Sequence, residues 1–259
     1  PFCGTALKGV LRMGKSLIAG NWKMHGTAES ALQLATQLSQ YRFQENAVEM
    51  IIFPSLVHIS AVSAVVTESS ISLGAQNISQ YSNGAYTGEV SGEMLLDQGC
   101  KYVLVGHSER RAVMGESSEV VAEKFRAAQD AGLIPILCVG ETLEQRHAGK
   151  TLEVVAKQIE AVIDLVGLNK VIQAVIAYEP VWAIGTGETA SPQQAQLVHS
   201  AIRTQLGEVG QSTTLLYGGS VNASNAAELF EQPDIDGGLV GGASLEAEKF
   251  LNIAQLVEA

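Results

Sequence analysis

Short apolar runs alternate with helix-like stretches along nearly the whole of this 259-residue chain. The runs occupy residues 16–21, 48–53, 71–75, 102–106, 134–139, 171–178, 214–217 and 238–240. Strands that are almost continuously apolar and are separated by helices are typical of a parallel sheet buried on both faces. Eight such units predict a single-domain (β/α)8 barrel with a parallel eight-stranded core, and the length is ordinary for that fold. A doubly wound open sheet has the same periodicity and is the alternative.

Capping residues indicate where several helices begin and end. The clearest start is Ser191-Pro192-Gln193-Gln194, which combines a capping hydroxyl, a first-turn proline and a glutamine three residues on. Further starts are predicted near Thr27, Ser91, Ser117, Asn222 and Ser244, and helix ends near Gly99 and Gly132. No Gly- or Ser-rich linker divides the chain, so we expect residues 1–15 to be an N-terminal extension and residues 16–259 to form one barrel domain.

The charge balance limits the classes of partner. The chain carries 16 Lys and Arg against 27 Asp and Glu, a formal net charge of -11 at pH 7. Nucleic-acid-binding proteins usually display clustered Lys and Arg, so we expect no nucleic-acid partner. No apolar run approaches the roughly 18 to 20 residues that span a bilayer, so we expect a soluble protein without a membrane partner. An anionic ligand therefore needs a locally positive site.

The cysteines indicate a reducing environment. Cys3, Cys100 and Cys138 cannot all pair within one chain, and the last two fall in apolar or helix-end settings where free thiols commonly pack. A cytoplasmic location fits this pattern best. Residues 1–12 lack the apolar core of a signal peptide, and the sequence predicts no role for them.

Polar residues follow several of the predicted strands. In a parallel barrel the active site lies at the carboxyl ends of the strands. The residues found there are Asn21 and Lys23, His107 and Glu109, Glu179, and the glycine-rich turns 218–220 and 241–243. We therefore expect a carboxylate, an imidazole, an ammonium group and two glycine turns on one face of the barrel.

Glu179 is predicted to be a general base. It follows an apolar strand and precedes Pro180, which biases the Glu179 backbone toward an extended conformation. An apolar, water-excluded setting makes a carboxylate more basic. Gly185 and Gly187 follow in the same segment and give it the backbone freedom of a lid. A structural ion pair is the alternative role for an isolated buried glutamate.

The other side chains have complementary predicted roles. His107 stands where a short helix can begin, and the positive helix end disfavours imidazolium, which leaves a neutral ring able to polarise a carbonyl. Lys23 is the expected point charge for an anionic substrate, and Asn21 beside it is a hydrogen-bond donor for an oxyanion. A packed histidine and a solvated lysine are the alternative interpretations.

Two glycine turns predict phosphate binding. Gly218-Gly219-Ser220 and Gly241-Gly242 leave backbone N–H groups accessible just before helices, and barrels commonly bind phosphate after their last two strands. Residues 185–190 also fit the dinucleotide pattern Gly-x-Gly-x-x-Ala, but residues 180–184 separate them from the strand, so the match is weak. No Walker loop or metal-binding spacing occurs, so neither a metal nor another cofactor is implied.

Several long motifs occur together in one order. The segments 21–23, 106–111, 177–187, 217–221 and 238–243 closely resemble those of the triosephosphate isomerase family, and the resemblance runs from about Ser16 to the C-terminus. It implies a TIM barrel that uses no cofactor. It also implies a glycolytic and gluconeogenic isomerase that interconverts dihydroxyacetone phosphate and D-glyceraldehyde 3-phosphate through an enediolate.

The resemblance assigns roles to individual residues. Glu179 would move the proton between the two carbons, His107 would act on the substrate oxygens, and Lys23 and Asn21 would stabilise the developing negative charge. The residues implied to bind the substrate are Asn21, Lys23, Gly185, Ser220, Gly241 and Gly242.

The resemblance further implies a homodimer in which the loop 81–88 reaches into the partner. Thr87 would then support the Asn21, Lys23 or Glu109 region of the partner subunit. From the residues alone this loop is a surface turn. The chain departs from the usual family pattern at Glu188, where many relatives have lysine beside the second lid hinge, and at residues 112–114.

Two alternative functions stay open. Another phosphate-binding barrel, such as a sugar-phosphate epimerase or an indole-forming synthase, shares the two late glycine turns but does not need this histidine and lid together. A non-catalytic barrel that binds a metabolite or a partner is the alternative outside enzymes.

Overall fold

The computed structural model describes residues 16–42, 48–184 and 188–258. In these residues eight parallel strands pair in chain order, and the first pairs with the last, so the sheet closes into a barrel. The strands are β1 Ser16–Asn21, β2 Val48–Phe53, β3 Ile71–Ala75, β4 Tyr102–Val105, β5 Ile134–Val139, β6 Val175–Tyr178, β7 Thr214–Tyr217 and β8 Gly237–Val240. The predicted (β/α)8 barrel is confirmed, and the open doubly wound sheet is wrong.

Helices lie between the strands. They are α1 Ala28–Ser39, α2 Ile59–Val66, α3 Gly92–Asp97, α4 Ser108–Val113, α5 Ser118–Ala131, α6 Leu143–His147, α7 Thr151–Val166, α8 Leu168–Val171, α9 Pro192–Leu206, α10 Ala226–Phe230 and α11 Ala247–Glu258. Single 3-10 turns occur at Leu56–His58, Val181–Ala183, Glu208–Gly210 and Gly242–Leu245. Among the described residues, no helix combines the length and the apolar character that crossing a membrane requires.

The strands separate two apolar cores. Alternate strand residues point to opposite faces of a sheet, so one set faces the barrel axis and the other faces the helices. The axial set fills the barrel with side chains such as Phe53, Leu104 and Leu216. The outer set packs against helix residues such as Phe125 and Phe250. Because the interior is filled, the barrel itself has room for a ligand only at its ends.

The clearest predicted caps are confirmed. At the start of α9 the Ser191 hydroxyl accepts the Gln194 N–H at 3.2 Å, and the Gln194 side chain accepts the Ser191 N–H at 3.0 Å. Thr27, Ser91 and Ser117 cap α1, α3 and α5 in the predicted way. Gly99 and Gly132 follow α3 and α5 with positive φ.

The sixth predicted strand is too long at its start. Residues 171–178 were expected to be extended, but Val171 ends α8, and β6 begins at Val175. Val171 is fully buried, so its apolar character reflects packing of a helix rather than of a strand. Smaller differences occur at 106, where Gly106 has φ 73° and β4 has already ended, and at 237, where β8 begins one residue early.

Two predicted helix starts are wrong. Asn222 accepts the N–H and the hydroxyl of Ser224 in a turn, and α10 begins only at Ala226. Ser244 lies inside the 3-10 turn Gly242–Leu245, where its hydroxyl donates to the Gly241 carbonyl at 2.7 Å, and α11 begins at Ala247. Both polar side chains bond within a turn next to a barrel mouth instead of capping a helix.

The cap of α5 gives a direct test of helix stability. Ser117 is exposed, and its hydroxyl accepts the Val120 N–H at 3.3 Å. We expect Ser117→Ala to lower the free energy of unfolding by about 1 kcal/mol, because one N–H of the first turn loses its acceptor. Ser117→Asp should leave the free energy of unfolding unchanged, because a carboxylate also accepts the N–H and its negative charge interacts favourably with the positive N-terminal end of the helix. Urea unfolding checks both; equal losses in the two variants would contradict the cap.

Candidate active site

One cavity of about 490 Å³ lies at the carboxyl ends of the strands. Its lining includes Asn21, Lys23, His107, Glu179, Ser220, Gly241 and Gly242. The structure therefore brings together every predicted catalytic and substrate-binding residue that it describes. Gly185, the remaining predicted phosphate contact, and Gly187 lie outside the described residues.

Glu179 is fixed at the mouth of the barrel. It follows β6 directly, and its N–H donates to the Val139 carbonyl of β5 at 2.7 Å. The side chain is 2% exposed. One carboxylate oxygen accepts the Ser108 N–H at 2.8 Å, and the other lies 3.0 Å from Nε2 of His107. Both the backbone and the carboxylate of the predicted base are therefore held by neighbouring strand ends.

Glycines on either side make room for Glu179. A Cβ added to Gly140 would lie 1.7 Å from the Glu179 carbonyl oxygen, and a Cβ added to Gly218 would lie 2.9 Å from its Cγ. A side chain at position 140 would have to displace the Glu179 backbone, and one at position 218 would have to displace the Glu179 side chain. Gly218, which the sequence predicts only as part of a phosphate turn, therefore also makes space for the base.

His107 begins a short helix, as predicted. It is the N-cap of α4, and its Nδ1 accepts the Glu109 N–H at 3.3 Å. A nitrogen that accepts a hydrogen bond carries no proton, so in the neutral ring Nε2 carries it and donates toward Glu179. The tautomer presents an N–H to the cavity, which is the group that polarises a carbonyl.

The pKa values of Glu179 and His107 depend on each other. Burial alone raises the pKa of Glu179, but His107, the Ser108 N–H and Lys23 outweigh it and hold this pKa below its usual value. Burial alone lowers the pKa of His107, but the Glu179 carboxylate, followed by Glu109, outweighs it and raises this pKa. The sequence predicts a raised pKa for Glu179 and a lowered pKa for His107. Both predictions are wrong for the empty site, because the two side chains are in direct contact and each favours the charged form of the other.

Lys23 lies between a carboxylate and a glycine turn. Its Nζ is paired with the carboxylate of Glu109, the residue predicted to support the site. A Cβ added to Gly241 would lie 3.5 Å from the Lys23 Cε and 3.9 Å from its Nζ. The ammonium group is therefore next to the Gly241-Gly242 turn, where it can share an anion with the backbone N–H groups.

Asn21 is the last residue of β1. Its side-chain oxygen accepts the Lys23 N–H at 3.0 Å. Because the oxygen is occupied, the amide N–H groups are the part of this side chain that can serve a ligand oxygen. The role of Asn21 as a donor to a ligand stays a prediction, and the amide N–H groups are the atoms that it requires.

The two glycine turns are tied to the rest of the mouth by hydrogen bonds. The Ser220 hydroxyl donates to the Ala183 carbonyl at 2.7 Å. The buried Ser244 donates its N–H to the Gly241 carbonyl at 2.8 Å, besides its hydroxyl bond. A Cβ added to Gly242 would meet nothing within 4 Å, so space above this turn is open to a ligand.

Glu141 is a buried residue of the mouth that the sequence analysis missed. It is fully buried, two residues beyond β5, and accepts the Trp182 indole N–H at 2.9 Å and the Tyr178 hydroxyl at 3.1 Å. Arg146 lies 3.5 Å from the same carboxylate and stacks over the Trp182 ring at 4.2 Å. The start of the predicted lid segment is therefore anchored to a buried charge. The strand-end rule that found Glu179, applied to β5, also finds Glu141.

Two described site predictions, Glu109 and Thr87, are not part of the cavity lining. Glu109 pairs with Lys23, which does line the cavity, whereas Thr87 lies elsewhere on the surface. It stands in the exposed loop 81–88, in which Tyr81 and Tyr86 stack with ring centroids 3.9 Å apart. Its proposed role concerns a second subunit. Within the part of the chain that the structure describes, no group of three or more His, Cys, Asp and Glu side chains could hold a metal ion.

Fold and site together define a class of protein: a (β/α)8-barrel enzyme in which a buried carboxylate, an imidazole, an ammonium group and glycine-rich backbone turns line one cavity. Residues 16–257 match the family model described as Triosephosphate isomerase. The chain belongs to the triosephosphate isomerase family, as its motifs predict.

Individual relatives match over nearly their full length. The triosephosphate isomerase of Pseudomonas putida (strain W619) is 57% identical over 243 residues, which cover 92% of this chain and 96% of the relative. That of Nitrosomonas europaea is 52% identical over 246 residues, 93% of this chain and 98% of the relative. That of Thiobacillus denitrificans is 54% identical over 248 residues, which cover 94% of this chain and 98% of the relative.

The Glu141 cluster generates a prediction about stability and the lid anchor. We expect Glu141→Leu to lower the free energy of unfolding by about 3 kcal/mol, because the buried Tyr178 hydroxyl and the Trp182 indole N–H lose their acceptor and the partly buried Arg146 loses its carboxylate. It should also make Trp182 fluorescence easier to quench with acrylamide, because the segment that carries the indole loses its anchor. Glu141→Gln keeps an acceptor of the same size and should show the smaller change in both measurements. Identical behaviour of the two variants would contradict the anchor.

Proposed function

We propose that this chain interconverts dihydroxyacetone phosphate and D-glyceraldehyde 3-phosphate by moving a proton between neighbouring carbons through an enediolate, as a step of glycolysis and gluconeogenesis. The observation that carries the proposal is the contact between Glu179 and Nε2 of His107, 3.0 Å apart, in the cavity that also holds Lys23 and the Gly241-Gly242 turn. A base, an electrophile and an anion site are thus within reach of one small ligand. Membership in the family supports the same reaction.

Glu179 takes the proton from carbon. In the empty site its lowered pKa keeps it ionised at neutral pH, so it is ready to accept a proton. To reach a substrate C–H the carboxylate has to leave the Ser108 N–H and the His107 ring, which are two of the groups that lower its pKa. Loss of these contacts in a closed, water-poor site raises the basicity of the carboxylate. The base is therefore stabilised while it waits and becomes stronger when substrate displaces it.

His107 acts on the two substrate oxygens. Its Nε2–H donates to the oxygen that gains negative charge when Glu179 removes the proton. Nδ1 stays an acceptor of the Glu109 N–H, which favours the neutral ring. Once substrate separates the ring from Glu179, the main cause that raises the His107 pKa is removed. The hydroxyl proton passes from the oxygen of one carbon to the oxygen of the other by way of Nε2 of His107, and Glu179 returns its proton to the adjacent carbon, so the reaction balances and leaves the enzyme unchanged.

The phosphate group binds at the glycine turns. Lys23 supplies the local positive charge that a chain of net charge -11 otherwise lacks, and it lies beside Gly241. The N–H groups of Ser220, Gly241 and Gly242 are the proposed backbone donors. Gly185 is proposed as a further donor from the lid. Asn21 and Lys23 also stabilise the negative enediolate.

Removal of the base tests the proposal. We expect Glu179→Gln to lower kcat/KM by about 1000-fold in a coupled assay with glyceraldehyde 3-phosphate, because the amide cannot accept the proton. The amide oxygen can still accept the Ser108 N–H, so the fold should persist.

Glu160→Gln, an exposed glutamate of α7, is the matched control and should keep full activity. Full activity of Glu179→Gln would remove Glu179 as the base. An inactive wild type would favour the non-catalytic barrel.

The exposed apolar residues near the site support a proposed homodimer. Met24 is 94% exposed and Val57 is 82% exposed. Their loops touch, because the Ser55 hydroxyl donates to the Lys23 carbonyl at 2.8 Å. Contiguous exposed apolar residues commonly mark a protein interface. We propose that the loop 81–88 of a second copy packs here, with its Thr87 supporting the mouth next to Lys23.

A charge in this surface tests the dimer. We expect Val57→Glu to give a monomer by light scattering and to lower kcat/KM by about 100-fold, because Lys23 and its loop lose their support. Val209→Glu places the same charge on another exposed valine, in the turn Glu208–Gly210 before β7. This control variant should leave the oligomeric state and kcat/KM unchanged. A Val57→Glu monomer with undiminished turnover would refute the dependence of activity on the dimer.

We also propose a cytoplasmic location. Cys100 and Cys138 are both buried and unpaired, as thiols commonly are in reducing compartments. Burial raises the pKa of the Cys100 thiol to about 12, so it is a poor nucleophile at neutral pH.

A further inference from the structure

The backbone of Lys23 has an unusual conformation. Its φ is 51°, and within the described residues no other non-glycine residue has a positive φ. Side chains crowd the backbone in this left-handed region, so the conformation costs free energy and persists only where its surroundings enforce it. The strain falls on a residue whose ammonium group the proposed function needs.

Two side chains from neighbouring loops hold this conformation. The Lys23 carbonyl accepts the Ser55 hydroxyl at 2.8 Å and the Gln76 amide N–H at 2.8 Å. Gln76 also donates to the Phe53 carbonyl at 2.9 Å, at the end of β2. With the bond from the Lys23 N–H to Asn21, both polar groups of the Lys23 backbone are bonded.

The backbone of Lys23 determines where its charge can go. A lysine side chain has four flexible carbons, so its aim depends on the direction in which the backbone starts it. From this backbone, Nζ reaches the Glu109 carboxylate and the edge of the Gly241 turn. An ordinary negative φ would direct the side chain elsewhere.

We propose that Gln76 and Ser55 are positioning residues for the isomerase reaction: they hold the strained Lys23 backbone and so place its ammonium group at the anion site. This inference rests on the proposed function. The chemistry of Gln76 suits the task, because one amide nitrogen supplies two N–H groups to two carbonyls that converge on it. A carboxylate at this position would repel both carbonyls, and a methionine would leave both without the donor.

A double-mutant cycle tests the inference. We expect Gln76→Met to lower kcat/KM by about 30-fold, because a small displacement of a charged group in an active site is costly. In the Lys23→Met background the same substitution should change kcat/KM by less than about 2-fold, since no ammonium group is left to misplace. Equal losses in both backgrounds would overturn the inference and make Gln76 a purely structural residue.

A matched glutamine separates this effect from general loss of packing. Gln205, half-buried like Gln76, donates to the Ala156 carbonyl at 3.0 Å, between α9 and α7. Gln205→Met should leave kcat/KM within about 2-fold of wild type. Loss comparable to that of Gln76→Met would also overturn the inference. If Gln76→Met does not fold, the same double-mutant cycle is measured with Ser55→Ala. We expect Ser55→Ala to lower kcat/KM by about 5-fold in the wild-type background and to leave it unchanged in the Lys23→Met background. Equal losses in the two backgrounds would overturn the inference.

The test distinguishes failure of the inference from failure of the proposed function. Absence of isomerase activity in the wild-type protein would refute the proposed function. The cycle is then measured on the dissociation constant of inorganic phosphate by calorimetry. Weaker phosphate binding in Gln76→Met, but not in its Lys23→Met background, supports the positioning role, and equal effects in both backgrounds refute it.

Discussion

Closure of the barrel between β8 and β1 creates the site. Leu17 pairs with Gly237, and the Leu17 N–H donates to the Asp236 carbonyl at 3.1 Å. A Cβ on Gly237 would lie 2.0 Å from the Leu17 carbonyl oxygen, so glycine permits the two strands to meet. The loop after β8 thereby comes next to the loop after β1, and Gly241 approaches Lys23. Without this pairing of the first and last strands, the Lys23 ammonium group and the Gly241-Gly242 turn would not line the same cavity.

In the pair of Glu179 and His107, burial and direct contact shift each pKa in opposite directions. Burial favours neutral forms of both groups, whereas their contact favours the charged forms, and in the empty site the contact dominates. In the proposed reaction, a substrate that enters between them reverses the balance. The lowered carboxylate pKa of the empty site and the basicity that the proposed catalysis requires would then belong to different states of the same cavity, and Glu179 would give up the Ser108 N–H between them.

Strand periodicity and the rule that function follows strand ends were enough to predict the barrel and the main side chains of the site. They succeed because parallel strands place the residues that follow them on one face. They do not show which distant side chains meet. Gln76 was missed because its partner, Lys23, is reached across β2, and Ser244 was misread as a cap because its acceptor lies behind it in a turn. Val171 was misread because a buried helix and a buried strand are equally apolar.

The pairing of Lys23 with Glu109 has a consequence for which ions can occupy the mouth. The ammonium group already has a counter-ion, and that counter-ion is tethered to the protein at high local concentration. A monovalent anion such as chloride offers little in exchange for a tethered carboxylate. A phosphate dianion brings two charges and several acceptor oxygens, which can also accept from the N–H groups of the glycine turn. Under the proposed function, the pairing with Glu109 therefore disfavours common monovalent anions at Lys23 and gives way to the doubly charged ligand.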